Sequence, residues 1–342
     1  CTGENVFLVK DGRITAVDMY VVADGGSVSG GGDFRSAGNA VSIVYQPEAM
    51  RWRGVPVITN TTPRGAQRGP GENQIAMAIE PLLDKAAREL GIDRLAIRKI
   101  NAPDSSGKIG AEQTGVTSAF QKDAWDIVAQ KWWDQKKALS GRKTGSKVTG
   151  IGLGQAYHSA GGRGFDGLIR ITPDGKLHVQ TGIGNLGTYS YWGPSLMVAE
   201  ELKVKLENLV VERGDTRHGL PNNSGQGGSN TTFTHSRAYT LAARDAKAKM
   251  FEIAAQDLGG AATDYDLDAE KVVHKTDRTK SMTFAQVATR AIALGGKFSG
   301  KEVPADINDL TKRSAAIIAG SGLVGVARDN IPGTGTVPGL CT

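Results

Sequence analysis

Three glycine-rich loops, each set between a strand-like run and a helical pattern, constrain this 342-residue chain more than any other feature. They run from Thr61 to Gln74, from Thr181 to Ser190 and from Pro221 to Thr232. Glycine permits tight turns and lets a ligand approach the main chain closely. A helix start adds N–H groups that have no partner within the helix and that suit an anion. The 46 glycines follow no collagen period, and they stand well above the usual share of about 7%. A chain built this way places backbone, rather than bulky side chains, at the ends of its strands.

The segments between the loops mix two periods. Asn5–Lys10 and Ile14–Ala23 read as a hairpin about the turn Asp11-Gly12. Val55–Asn60 reads as a strand, and Glu72–Leu90 as a helix with Ile75, Ile79, Leu82, Leu83, Ala86 and Leu90 on one face. Pro81 makes that helix either kinked or double, and Gly91 closes it. A short helix Arg94–Ile100 and an amphipathic helix Phe120–Leu139 follow. The polar stretch Ser140–Val148 is the expected domain boundary. Beyond it come a strand near Gly150–His158, a hairpin Leu168–Thr172 with Lys176–Thr181, a helix Tyr191–Leu202 and a strand Leu209–Glu212. A long helix reaches Leu258 from a cap at Ser229 or Asn230, Thr283–Leu294 is a further helix, and the tail from Gly320 is rich in Gly and Pro. This is an α+β pattern of two mixed domains, 1–145 and 146–342.

Composition removes several function classes. Hydrophobic residues at 39% and charged residues at 22% suit an ordinary globular protein. The net charge of +6 comes without a Lys/Arg tract fit for nucleic acid, and Arg142–Lys147 reads as an exposed linker. No apolar run approaches the ~20 residues of a membrane span. Cys1 and Cys341, at opposite ends, form neither a zinc spacing nor a disulfide framework, and cannot hold an iron–sulfur cluster. No residue is assigned as a metal ligand. No signal peptide is visible, and both ends read as cut from something longer.

Taken on residues alone, each loop has a plain alternative: a glycine-rich connection with solvent-facing arginines for the first, an ordinary capped loop for the third. Gly182-Ile183-Gly184-Asn185-Leu186-Gly187 also spells a dinucleotide fingerprint. That reading is rejected because the preceding strand belongs to a hairpin and no parallel crossover with a downstream acid is evident.

In this order and spacing, the three loops resemble those of the molybdenum-binding subunits of the xanthine oxidase and aldehyde oxidase family. There, a Phe-Arg-Gly-Phe-Gly loop precedes a helix; here Gln67-Arg68-Gly69-Pro70-Gly71 takes its place. The run Leu90-Gly91-Ile92-Asp93-Arg94 to Asn101 is similar to the end of that family segment. Ile169–Val179 followed by Gly182–Thr188 resembles the family's strand and its glycine-glutamine-glycine cofactor loop. Pro221–Ala238 is similar to the family's proline-asparagine loop with its alanine-alanine-serine turn.

The resemblance implies a segment of the molybdenum-cofactor subunit of a hydroxylase that oxidises an aldehyde or an N-heteroaromatic with water as oxygen source. It implies molybdopterin, plain or as the cytosine dinucleotide, bound by Arg68, Gly69, Asn185, Leu186, Gly187, Thr188, Gly227, Gly228 and Ser229. Pro70, Tyr157 and His158 fall at substrate-pocket positions. It further implies the remaining segments of the subunit, an iron–sulfur subunit carrying [2Fe-2S] clusters, and a subunit carrying FAD or haem, in the cytoplasm or the periplasm. The catalytic base is expected outside this chain, so Glu72 and Glu200 receive no such role and the isolated chain is expected to be inactive. The sequence departs from the pattern at Thr188, where the family has glutamine, and at Pro70, where it has phenylalanine. The arginine used for purines has no counterpart near Ser42–Met50. A reading from another class stays open: a non-catalytic scaffold of the same fold.

Overall fold

The computed structural model describes residues 5–28, 33–116, 119–160, 162, 164–223, 225–330 and 337–341. They fall into two compact units, residues 1–159 with 337–342, and residues 160–336.

In the first unit, β1 (Asn5–Lys10) and β2 (Arg13–Gly26) form the expected hairpin. The next helix, α1 (Asp33–Val44), was not legible, and β3 (Ala49–Ile58) starts earlier than the sequence suggested. β3 runs parallel to β2, so α1 is a crossover helix. α2 (Glu72–Leu90) is one helix that carries Pro81 within it. Gly91 ends it at φ 65 with its N–H on the Ala87 and Arg88 carbonyls. α3 (Arg94–Asn101) is capped by Asp93, whose carboxylate accepts from the Leu95 N–H at 2.8 Å and the Ala96 N–H at 3.2 Å. The expected helix Phe120–Leu139 is present: α4 (Gln121–Val128) widens over Ala129–Trp133, which brings Trp133 inward, returns to α-helix over Asp134–Lys136 and tightens over Lys137–Leu139. The proposed linker contains a small hairpin pairing Lys143–Thr144 with Lys147–Val148. β4 (Ala156–Ala160) closes this stretch.

A buried ionic network binds these helices. Arg98, fully buried, meets Glu80 Oε2 at 2.6 Å and Asp84 Oδ1 at 2.8 Å, and donates to the Leu153 carbonyl at 3.0 Å. Glu80 also accepts from Tyr45 at 2.5 Å and from the Gln155 N–H at 3.1 Å. Burial, then the Glu80 charge, pushes the Tyr45 hydroxyl well above its usual range, so it stays a donor.

The second unit is built on a four-stranded sheet of β5 (Asp166–Ile171), β6 (Leu177–Gln180), β7 (Leu209–Glu212) and, much later in the chain, β11 (Leu323–Arg328). Its order is β7-β6-β5-β11. α5 (Trp192–Leu202) links β6 to β7, which run parallel. This corrects the sequence reading: a parallel crossover does follow the Gly182 loop. The correction leaves the dinucleotide reading weak, because α5 opens at Trp192 rather than on the third glycine, Gly187.

α6 (Ser236–Leu258) lies across the sheet and is entered through a wide turn, Thr231–His235. Asn230 does not cap it as expected; its side-chain amide donates to the Gly225 carbonyl at 3.2 Å. A three-stranded sheet of β8 (Tyr265–Asp268), β9 (Lys271–His274) and β10 (Ser281–Thr283) follows, then α7 (Phe284–Leu294) and α8 (Asp309–Ile318). The expected helix Thr283–Leu294 is α7, with Thr283 as its cap, whose hydroxyl accepts from the Gln286 N–H at 3.2 Å. The core joins Ile169, Leu177, Val179, Val198, Tyr239, Ala242, Ala246 and Met250. In the glycine-rich tail, β12 (Val337–Cys341) pairs with β4 of the first unit.

Two glycines set how closely α6 meets the sheet. A Cβ on Gly167 would stand 2.5 Å from the Ala238 carbonyl oxygen, and one on Gly325 2.4 Å from that of Ala242. The obstacle in both cases is helix backbone, which cannot rotate aside. Gly325→Ala is therefore expected to destabilise the protein by about 1–3 kcal/mol, read from urea denaturation; an unchanged midpoint would mean the helix can retreat without cost.

His235, fully buried at the start of α6, sets its edge against Phe165 with ring centroids 4.9 Å apart. Burial lowers its pKa from 6.5 to about 4, with the Asn223 main chain opposing slightly. The unfolded chain thus binds the proton first. The stability held by neutral His235 is complete above pH 6.5 and is lost as pH falls toward 4. That loss should reach about 3 kcal/mol and should shrink in His235→Asn, measured as the difference between the two proteins' stabilities across this window. Parallel pH profiles would contradict it.

Candidate cofactor-binding loops

In the first unit the loop after β3 is fastened from one end. Asp24, at the end of β2, accepts from the Gly26 N–H at 2.9 Å, Thr59 Oγ1 at 2.7 Å, Thr61 Oγ1 at 3.2 Å and Arg64 Nε at 3.0 Å. The Thr59 hydroxyl, the Gly26 N–H and the Arg64 and Thr61 side chains hold its carboxyl down to about 2. Only glycine fits at position 26, where φ is +74 and a Cβ would lie 2.3 Å from the Thr62 carbonyl oxygen. The other end is fastened by Gln74, which accepts the Gly71 N–H at 2.7 Å.

Arg64 is thereby used in structure. Arg68 is exposed and has no carboxylate partner among the described residues. It lines a cavity of about 1110 Å³ together with Pro70, Gln67 and Asn73, over an apolar floor that includes Val21, Phe34 and Ile75. His158 does not line this cavity; its Nδ1 contacts the buried carboxylate of Glu72. The sequence reading gave Glu72 no role. Its signal was an acidic residue in the first turn of α2, next to a loop already singled out. The side chain of Tyr157 lies outside the described residues.

The second unit brings its two loops together. The first leaves β6 at Gln180, and the Thr181 N–H donates to the Glu212 carbonyl at 2.9 Å. Its apex is held by Asn185, whose Oδ1 accepts the Gly187 and Tyr189 N–H groups at 2.9 and 3.1 Å. Leu186 stands outward, 68% exposed. In the second loop, Gly225, Gly227 and Gly228 have no atom of the described residues, their chain neighbours apart, within 4 Å of where a Cβ would sit. Gly228 and Ser229 take φ of 61 and 50, and the Gly227 N–H turns back to the Gly225 carbonyl at 3.0 Å. The Oδ1 of Asn230, buried beneath, has no hydrogen-bond partner among the described residues. Bare main chain beside open space, over a buried polar atom that lacks a partner, is a surface into which a flat polar cofactor fits.

Asn223 and Gln226 bridge the loops, and the sequence reading singled out neither. Asn223 Oδ1 accepts the Gly182 N–H at 2.7 Å, while its amide donates to the Asp166 carbonyl at 3.0 Å. Gln226 Nε2 donates to Ser190 Oγ at 3.0 Å. Near the root of the first loop, Glu212 accepts from His178 at 2.9 Å and His218 at 2.6 Å; burial works to raise its pKa, but these two partners prevail and lower it. Among the described residues, no group of three or more His, Cys, Asp or Glu could hold a metal ion, and no helix is long and apolar enough to cross a membrane.

The sequence matches the molybdopterin cofactor-binding domain twice, over residues 5–102 and 127–335. It is 29% identical, over 62% of its length, to 6-hydroxypseudooxynicotine dehydrogenase complex subunit gamma of Paenarthrobacter nicotinovorans. It is 29% identical, over 65%, to the aldehyde oxidoreductase molybdenum-binding subunit of Escherichia coli O157:H7. The chain spans 28% and 30% of the lengths of these two relatives. The crystal structure of quinoline 2-oxidoreductase from Pseudomonas putida 86 superimposes at a TM-score of 0.70 with 20% identity, covering 96% of this chain and 42% of that one. With the longer domain match alone covering more than half of its residues, the chain belongs to the molybdopterin cofactor-binding domains of the xanthine oxidase family.

Proposed function

We propose that this chain is a segment of the molybdenum-cofactor subunit of a hydroxylase that oxidises an aldehyde or an N-heteroaromatic compound, with water as the oxygen source. The observation that carries this reading is the bare main chain of Gly225, Gly227 and Gly228, which lies open next to a second glycine-rich loop. The names of the relatives, an aldehyde oxidoreductase and a quinoline oxidoreductase among them, support both substrate classes. The wider complex would add further segments of the subunit, an iron–sulfur subunit, and a flavin or cytochrome subunit.

When bound, molybdopterin supplies the two-electron redox chemistry. The residues of this chain bind and orient. Gly227, Gly228 and Ser229 offer main chain without bulk, and Asn185, Leu186, Gly187 and Thr188 form the facing arch. Either the plain or the cytosine dinucleotide form would suit these loops. In the first unit, Arg68 and Gly69 are assigned to the cofactor, because a guanidinium without a carboxylate partner is free to offset anionic charge. Pro70, Tyr157 and His158 are assigned to the substrate pocket. No residue of this chain is assigned as the proton-abstracting base.

Elemental analysis of the complex, purified with all its co-purifying polypeptides, tests the reading. About one molybdenum per copy of this chain is expected, and a folded, fully assembled complex free of the metal overturns it in favour of a scaffold. In the same complex Arg68→Ala is expected to lower kcat by roughly 10²-fold with an aldehyde or an N-heteroaromatic substrate; an unchanged kcat would remove Arg68 from the site.

A further inference from the structure

The two loops of the second unit touch at three points. At the start of the first loop, Asn223 accepts the Gly182 N–H at 2.7 Å. In the middle, a Cβ on Gly184 would stand 3.1 Å from Gln226 Oε1, so the bare glycine lets the glutamine lie close against the first loop. At the end, Gln226 Nε2 donates to Ser190 Oγ at 3.0 Å. Asn223 is itself fixed. It is 2% exposed, its amide is spent on the Asp166 carbonyl at 3.0 Å, and the Tyr239 hydroxyl lies 3.2 Å from its Oδ1 while donating to the Gln180 carbonyl at 2.5 Å. Gln226 is half-buried and lies across the first loop.

Between these points the arch from Asn185 to Tyr189 is exposed, and among the described residues it is supported from within the loop, by the Asn185 carboxamide on its own N–H groups and by the Tyr189 ring set against that of Tyr191 at 6.3 Å. A glycine-rich arch held only by itself would sample many conformations, and a ligand that binds one of them must meet the cost of ordering it. We propose that Gln226 is a positioning residue: by gripping Gly184 and Ser190 it clamps the first loop to the second, so that the arch is preformed for the cofactor. The proposal rests on the functional reading above, and it adds how the two loops come to act as one surface. No step of the chemistry passes through Gln226. Its carboxamide acts on the loop, and the loop acts on the cofactor.

Gln226→Ala removes the grip without touching the buried Asn223. In the assembled complex, hydrogen exchange at the amides of residues 184–190 is expected to quicken roughly fivefold, and molybdenum and released pterin per chain are expected to fall, with the thermal midpoint of the complex unchanged. Gly184→Ala approaches the same contact from the other side. Its new methyl would crowd Gln226 Oε1 at 3.1 Å, so any faster exchange it causes alone should be absent from the Gln226→Ala background, where it should add nothing. Exchange in 184–190 that is unchanged in Gln226→Ala, or effects of the two substitutions that add, overturns the clamp whatever the metal content. Faster exchange with full molybdenum and pterin overturns the link to the cofactor while leaving the loop contact standing. A wild-type complex without molybdenum overturns the functional reading, and with it the cofactor half of this proposal.

Discussion

Where α6 crosses the sheet at Gly167 and Gly325, helix backbone rests directly on strand backbone, and the geometry of the second unit's loops descends from that contact. The helix enters through Thr231–His235, so the position of its first turn fixes where residues 225–230 run. The same sheet fixes Gln180, from which the first loop departs, and Tyr239 of α6 donates to the Gln180 carbonyl. A helix held a side chain's width farther from the sheet would break that hydrogen bond and draw Asn223 away from Gly182. Close packing of this kind transmits position because interiors are dense and yield little. The small residues Ala238, Ala242 and Ala246 on the buried face of α6 belong to the same requirement.

The first unit reaches similar rigidity by electrostatics. Arg98 cannot leave Glu80 and Asp84 without stranding a buried charge, a loss that costs far more than the pair contributes. Because Gln155 is also bound to Glu80, and accepts from Trp125 Nε1 at 2.6 Å, the approach to β4 is anchored to α2. That anchoring brings His158 to Glu72, at the opposite end of the same helix from Gly91. An arginine within the Arg94–Ile100 pattern reads from sequence as an ordinary solvent-facing residue. Only the tertiary structure reveals that it is the centre of the unit.

Local signals were legible and distant ones were not. The Asp11-Gly12 turn and the Gly91 terminator each act within a few residues, and each element they mark is present. α1 escaped because Gly38, Asn39 and Ser42 dilute its helical pattern, although Ala37, Ala40, Val41 and Val44 face the core. β11 escaped because its partner, β5, lies more than 150 residues upstream, with Leu323 opposite Ile171. The parallel crossover after Gly182 was missed because β6 makes a hairpin on one side and a parallel pair on the other, and the sequence reveals only the nearer neighbour. For the site, small residues announced where backbone is exposed, but the amides that join one loop to the other carry no periodic signature.

The departures from the family pattern gain a physical meaning from those amides. Thr188 stands where the resemblance has a glutamine in the first loop, yet a carboxamide does reach that loop, from Gln226 of the second. The first loop can therefore be short of polar side chains without being short of a polar contact, and the bare Gly184 lets that contact lie close. Every anchor of this arrangement, from Asp166 and Gly182 to Gln226 and Tyr239, belongs to residues 160–336, a unit with its own core. The shape of the two loops is thus decided within that unit.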